Sequence, residues 1–205
     1  AGEVDCWGRN SEGQNDLSGP FAAISAGGAH TCGLDSDGAV TCVGRNSEGQ
    51  VDVPDGVFKS ISAGWSHTCG LTMDDTVLCW GDITVSVADA PLSVVDSGQG
   101  FSCGLDLEGF ISCWGDGAEQ FTDVPADDAF VEIAAGAKHL CARAADGMVR
   151  CWGNNDAGQL DAPEEPVHGL VSGSGSLHSC AVDGLQSELG EARCWGLDAE
   201  NQLMP

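Results

Sequence analysis

Cysteine offers this chain its most reactive chemistry. Ten of the eleven fall into pairs: Cys32 with Cys42, Cys69 with Cys79, Cys103 with Cys113, Cys141 with Cys151 and Cys180 with Cys194. Four pairs are spaced by ten positions and the fifth by fourteen. Two chemistries use cysteines in this number. Cross-strand disulfides are the economical one. Each would close a loop of roughly ten residues, contribute about 2–3 kcal/mol, and require an oxidising compartment. Thiolate metal binding is the other, and structural zinc prefers a short C-x-x-C spacing that occurs nowhere here. Cys6 is left over. It is a thiol free within the fold, the remnant of a hairpin whose first strand lies outside the chain, or a bridge to another molecule.

Histidine is the next candidate. His30, His67, His139 and His178 each stand two positions before the first cysteine of a pair, and Phe101 takes the remaining slot. Equivalent residues of a repeat sit at equal radius, so a ring of imidazoles could hold a metal. Phenylalanine in the same slot argues for packing instead, and no metal site is expected. Acidic turns such as Asp35-Ser36-Asp37-Gly38 resemble pieces of calcium loops, but the twelve-residue ligand pattern is missing and turn chemistry accounts for them. No nucleophile, base and orienting group recur at a spacing that assembles a catalytic set. A non-catalytic chain without cofactors is expected.

The elements that must position these residues can be read from the cysteine spacing. If position 32 faces 42 in an antiparallel hairpin, Asp35 faces Ala39 and the loop is Ser36, Asp37, Gly38. The last residue of such a three-residue loop is left-handed, which favours glycine. The same register puts Gly109, Gly147 and Asp75 at that position in three further units, and aspartate tolerates it. Leu34 then faces Val40, Leu71 faces Val77 and Leu105 faces Ile111, on the face that carries the cysteines. Arg143 against Val149 departs from that pattern, and the fifth hairpin has a longer loop.

The second cysteine of each pair opens Cys-Trp-Gly, at Trp80, Trp114, Trp152 and Trp195, with Val43 in the first; a solitary copy stands at Cys6-Trp7-Gly8. Successive second cysteines, counted from Cys6, are 36, 37, 34, 38 and 43 residues apart, a period of blades or solenoid coils. The tryptophans point away from the cysteine face and are expected to fill the space between units rather than form a sugar platform. Upstream of each hairpin runs a third apolar segment, from Phe21, Phe58, Leu92 and Phe130; the fifth, from His168, is slipped and glycine-rich, as a bulged strand would be. Each unit is thus a three-stranded antiparallel meander. Linkers such as Arg45-Asn46-Ser47-Glu48-Gly49-Gln50 lead onward, and Gln50–Pro54 hints at a short fourth strand.

Composition narrows the class. Thirty glycines, six tryptophans and no tyrosine describe a turn-rich, all-β chain. Acidic residues outnumber basic ones 32 to 7, for a net charge of −25. Nucleic-acid affinity rests on lysine and arginine displacing counterions, so no nucleic acid is expected as partner. The acidity serves solubility and mutual repulsion, or attracts cations or a basic protein. No apolar run spans a bilayer and no basic n-region precedes an apolar h-region. A start at Ala1 fits a mature secreted product and a trimmed one equally.

The units, residues 27–50 and 135–160 above all, carry glycine, two residues, histidine, a glycine turn, tryptophan-glycine, asparagine and glycine-glutamine. This pattern resembles the regulator-of-chromosome-condensation repeat. The short, cysteine-bearing version is similar to secreted bacterial members, a group that includes a β-lactamase-inhibitory propeller. The resemblance implies a β-propeller, here a single repeat domain over 1–205. It would comprise an N-terminal segment 1–16, with an orphan strand at residues 3–8, and repeats 17–53, 54–90, 91–125, 126–165 and 166–205. Those propellers usually have seven blades; five full repeats and an orphan strand leave the ring size open.

On such a propeller the turns between first and second strands gather at one end and form a continuous surface. There the frame is kept and two positions vary: Gly28 and Ala29, Trp65 and Ser66, Gln99 and Gly100, Ala137 and Lys138, Ser176 and Leu177. Trp65, Ser66, Gln99, Lys138 and Leu177 are the candidate contacts, with Trp65 first because tryptophan is an unusual side chain at an exposed tip. The competing role for Trp65 is tucking onto the neighbouring blade. The expected function is an extracellular or cell-surface binding module for a protein or glycan, enzyme inhibition being a special case. The alternative is a structural subunit of an assembly or fibre, self-associating through residues 1–8 or Cys6, since an unpaired strand edge invites partners.

Overall fold

The structure is a computed structural model, described over residues 2–83, 91–121, 123–183 and 190–198. A two-residue ladder pairs β1 (Gly2–Glu3) with β2 (Pro20–Phe21). Five three-stranded antiparallel sheets follow. Blade 1 is β3 (Ala23–Ala26), β4 (His30–Leu34) and β5 (Val40–Gly44); blade 2 is β6 (Phe58–Ala63), β7 (His67–Thr72) and β8 (Val77–Gly81). Blade 3 is β9 (Leu92–Ser97), β10 (Phe101–Asp106) and β11 (Ile111–Gly115); blade 4 is β12 (Glu132–Ala135), β13 (His139–Arg143) and β14 (Val149–Gly153). Blade 5 is β15 (Val167–Ser172), β16 (His178–Asp183) and β17 (Ala192–Gly196). The first strands lie side by side in chain order, which is the blade arrangement of a propeller.

The hairpin register is the one the spacing dictates. Cys32 faces Cys42 and Leu34 faces Val40, and the equivalent pairs face each other in the other blades. All five cysteine pairs are disulfides. The loop position computed as left-handed has φ of 84° at Gly38, 92° at Gly109, 88° at Gly147 and 64° at Asp75. Close approach adds to the demand for glycine: a Cβ on Gly109 would lie 2.5 Å from the Phe130 carbonyl oxygen. That approach is a link between blades. The carbonyl of the left-handed residue accepts the first amide of the next blade, with Phe58 on Gly38 at 2.9 Å, Leu92 on Asp75 at 2.8 Å, Phe130 on Gly109 at 2.8 Å and Val167 on Gly147 at 2.9 Å.

Three expectations change. The first strand of blade 5 begins at Val167, one residue before the slipped segment read from His168. Val167 is buried in the place that Phe58 and Phe130 hold, and the extra residue is absorbed by an irregularity before Leu170, which faces Ala181. Residues 50–54 form no fourth strand. Their linker is closed by its own side chains: Asn46 Oδ1 accepts the Val51 amide at 3.2 Å, and Asn46 Nδ2 donates to Asp52 at 2.7 Å. Asn10 and Asn155 repeat the device. The N-terminal strand is Gly2–Glu3 rather than 3–8, and it pairs within its own chain; Cys6 and Trp7 lie outside it, with no described strand beside them. The longer loop of the fifth hairpin lies outside the described residues.

The core is the set of seams between blades. Trp80 packs with Leu34 and Phe58, Trp114 with Leu71 and Val77, and Trp195 with Cys141 and Val149, so each of these indoles covers the preceding blade. The Trp80 N–H donates to the Gln50 carbonyl at 2.9 Å and that of Trp195 to Gln159 at 2.9 Å. Trp7, the indole of the N-terminal segment, has no such seam and is 87% exposed.

Candidate functional site

The histidines build the seams beneath the candidate face. His30 Nε2 lies 2.9 Å from Thr68 Oγ1 on the next blade, and that hydroxyl donates to the Gln50 carbonyl. The hydroxyl proton being used, the imidazole must donate, which puts its proton on Nε2. His67 reaches Ser102 in the same way at 2.9 Å; Ser102 bonds Ser97, which donates to the Ser62 carbonyl. His139 reaches Ser179 at 2.7 Å. The buried Nδ1 atoms have no partner, as suits a bare acceptor rather than an N–H. Burial lowers the pKa of each to about 4, helped at His67 by its neighbour His30 and at His139 by His178. Where the slot holds Phe101, the facing residue is Leu140, and an apolar pair replaces the hydrogen bond. Glycine three positions earlier makes room, since a Cβ on Gly27 would come within 2.6 Å of His30 Nδ1. Among the described residues no group of histidine, cysteine and carboxylate side chains is placed to hold a metal ion.

Nearer the inner edge, Asp96 joins three blades. Its carboxylate accepts Ser62 Oγ of blade 2 at 2.8 Å, the Ala135 amide of blade 4 at 2.7 Å and the Ser97 amide at 3.0 Å. Burial raises its pKa to about 6, against the pull of those three donors. Ser25 plays a smaller version of the part, accepting the Ala63 amide at 2.9 Å.

Above these seams the five turns are tied into a collar by backbone alone. Gly28 N–H donates to Gly64 O at 3.3 Å, Trp65 to Gly98 at 3.1 Å, Gln99 to Ala137 at 3.3 Å and Ala137 to Ser176 at 2.7 Å. Each turn is also tied to its own blade: the carbonyls of Ala29, Ser66, Gly100, Lys138 and Leu177 accept the amides of Arg45, Asp82, Gly117, Asn154 and Leu197 at 2.9–3.2 Å. Side chains on the collar are therefore free to differ without cost to its backbone.

The sequence-predicted residues are placed as follows. Trp65 lies between blades 1 and 5, where a Cβ on Gly28 would meet its ring at 2.8 Å and one on Gly175 at 2.5 Å, yet 43% of it stays exposed. It is both tucked and available. Gln99, Lys138 and Leu177 line one cavity of about 340 Å³, together with Ala137, Gly175 and the linker residues Asn154, Asp156, Ala157 and Gln159. Ser66 is half-buried and is not part of that cavity. The linker contribution was missed by sequence reasoning. Its signal was the Gly-Gln motif, whose glutamine is buried and whose preceding residues therefore sit against the turn.

Disulfide-braced blades with a hydrogen-bonded collar define a repeat propeller. Its blades are RCC1-like: the model of the regulator of chromosome condensation (RCC1) repeat matches residues 21–50, 58–82 and 130–159. No curated protein matches it in sequence. Among solved structures it is similar to the CRINKLY WD40 ectodomain of the Arabidopsis thaliana receptor kinase ACR4, at 29% identity and a TM-score of 0.71, over 86% of this chain and 66% of that one. The Physcomitrella patens receptor kinase CR4 ectodomain is 26% identical with a TM-score of 0.71, over 86% and 50%. Saccharomyces cerevisiae Prp20p shares the fold at 18% identity and a TM-score of 0.68, over 85% and 56%. The chain thus spans one half to two thirds of these structures. No helix among the described residues is long and apolar enough to cross a membrane.

Proposed function

We propose that the chain is an extracellular, non-catalytic binding propeller that presents its first-to-second-strand turns to a macromolecular partner. The carrying observation is the collar: five turns fixed by backbone hydrogen bonds, with Trp65, Gln99, Lys138 and Leu177 varied upon them. Five disulfides support an oxidising, extracellular setting, as does likeness to two receptor ectodomains. The test is capture of partners from the native extracellular medium by wild type, Trp65→Ala and Leu177→Ala. Loss of one partner in either variant, with Tm unchanged, is expected. Equal recovery of every partner would end the assignment to this face.

A second reading rests on the N-terminal segment. Trp7 is 87% exposed and Cys6 is a free thiol beside a shallow hollow lined by Ile24 and Thr31. Self-association through residues 1–8 would cover both. Sedimentation and non-reducing electrophoresis of wild type, Cys6→Ser and a chain lacking residues 1–8 test it, and a monomer in all three removes it.

A further inference from the structure

Lys138 differs in kind from the other cations. Among the described residues, Arg45, Lys59, Arg143, Arg150 and Arg193 pair with carboxylates, and Arg9 bonds Ser11. Lys138 alone of the lysines and arginines described has no side-chain partner, in a chain of net charge −25. It lines the 340 Å³ cavity of the collar together with Ala137, Leu177 and Gly175, and the Trp65 ring lies against Gly175 from outside that lining. A cavity of this size is at the lower end for a compact bound group.

The other polar groups of the cavity are largely occupied. Asn154 Oδ1 accepts Gln159 Nε2 at 3.1 Å and its Nδ2 donates to Asp156 at 2.7 Å, while Gln159 Oε1 accepts the Ala157 amide at 2.8 Å. Lys138 and Gln99 are left to meet a ligand. That is too few polar groups for a hydroxyl-rich sugar. It suits one carboxylate beside an apolar side chain, and the surrounding negative charge disfavours a partner with several acids in a row.

We infer that the collar cavity recognises a single carboxylate flanked by apolar side chains on a protein partner, with Lys138 pairing the carboxylate and Trp65 and Leu177 packing its neighbours. This rests on the binding face proposed above. Asp156, on the cavity wall, sets a limit on the affinity by repulsion.

The test titrates the intact, disulfide-bonded chain with the peptides Ac-Leu-Glu-Leu-NH₂ and Ac-Leu-Gln-Leu-NH₂ and with glucuronate, read by isothermal titration calorimetry and, in the chains that keep Trp65, by its indole N–H resonance. The Glu peptide is expected to bind about tenfold tighter than the Gln peptide, the scale of one charge-assisted hydrogen bond. Lys138→Met should erase that preference, Trp65→Ala should weaken both peptides, and Asp156→Asn should tighten the Glu peptide. Lys138 is exposed, so an unchanged Tm checks its variant. Equal affinity for the two peptides, a preference that survives Lys138→Met, no shift with either peptide, or binding of glucuronate alone would each overturn the inference. A protein partner that is lost in Trp65→Ala but kept in Lys138→Met would leave the face standing and remove only the carboxylate.

Discussion

Replacing His67 by phenylalanine, the residue that blade 3 uses in the same slot, should change the sign of its effect with pH. In the fold His67 is fully buried, and burial with His30 nearby lowers its pKa from 6.5 to about 4. A base whose folded pKa is depressed contributes stability above its unfolded pKa and loses it as pH falls, because the unfolded chain takes up the proton first. The window here runs from pH 6.5 down to about 4. Linkage over that shift amounts to about 2.5 kcal/mol between pH 7.5 and 4.5. At pH 7.5 His67→Phe should cost about 1 kcal/mol, the net worth of the bond to Ser102. At pH 4.5 the variant should be the more stable by about 1.5 kcal/mol. Urea denaturation with the disulfides intact measures both, and urea keeps ionic strength constant. Asp96, with a pKa raised to about 6, works the other way, since folding favours its proton as pH falls from 6 to 3.8. That contribution is common to both proteins and cancels in the difference. Parallel loss of stability by wild type and variant would refute a buried neutral imidazole and, with it, the inter-blade bond.

Asp96→Asn sets an amide N–H against the Ala135 amide or the Ser62 hydroxyl and should cost about 1–3 kcal/mol in the same assay; a change under half a kcal/mol would show that the three-blade bridge is idle. Gly109→Ala combines a positive φ with a clash on the Phe130 carbonyl and should destabilise by roughly 2 kcal/mol or more, while Asp75→Gly at the equivalent site should stay within about 1 kcal/mol. Equal effects at the two sites would contradict the left-handed register. Replacing Cys141 and Cys151 together by serine should cost about 2–4 kcal/mol, whereas Cys6→Ser should leave thermal stability unchanged, both read by scanning calorimetry.

The hairpins were legible because their register depends on facing pairs and on one loop position, both of which local sequence controls. Gly38, Asp75, Gly109 and Gly147 therefore fell where the cysteine spacing put them. The first strand of blade 5 was misplaced by one residue because a bulge leaves the apolar pattern intact while shifting its phase. Seams were half legible. The histidine slot was recognised as packing, but its partner was written in the residue just before the first cysteine of the next unit: Thr68, Ser102, Leu140 and Ser179 in phase with His30, His67, Phe101 and His139. That correspondence joins residues nearly forty positions apart, and no local rule reveals it. The cavity was less legible still, because Asn154 and Asp156 belong to a linker that reaches the turn only through the collar's own folding.

The vertical order of these contacts explains why the candidate face can vary. At the hairpin end, blades meet through a left-handed carbonyl; in the middle, through histidine and hydroxyl; at the collar, through backbone alone. At the hairpin end the turn residue is restricted by its left-handed backbone, and in the middle the side chains are committed to neighbours, so that changing one leaves a buried group unsatisfied or a cavity unfilled. At the collar no inter-blade bond passes through a side chain, so Gly28, Trp65, Gln99, Ala137 and Ser176 can differ while the same ladder forms. Trp65 shows the one restriction that remains. Its ring fits because positions 28 and 175 are glycine, and a methyl group at either would push it off. Gly175→Ala should therefore displace the indole and weaken partner capture without touching a contact residue, with the shift of the Trp65 resonance as its measure. An unmoved resonance would mean that the ring is held from the blade 1 side alone.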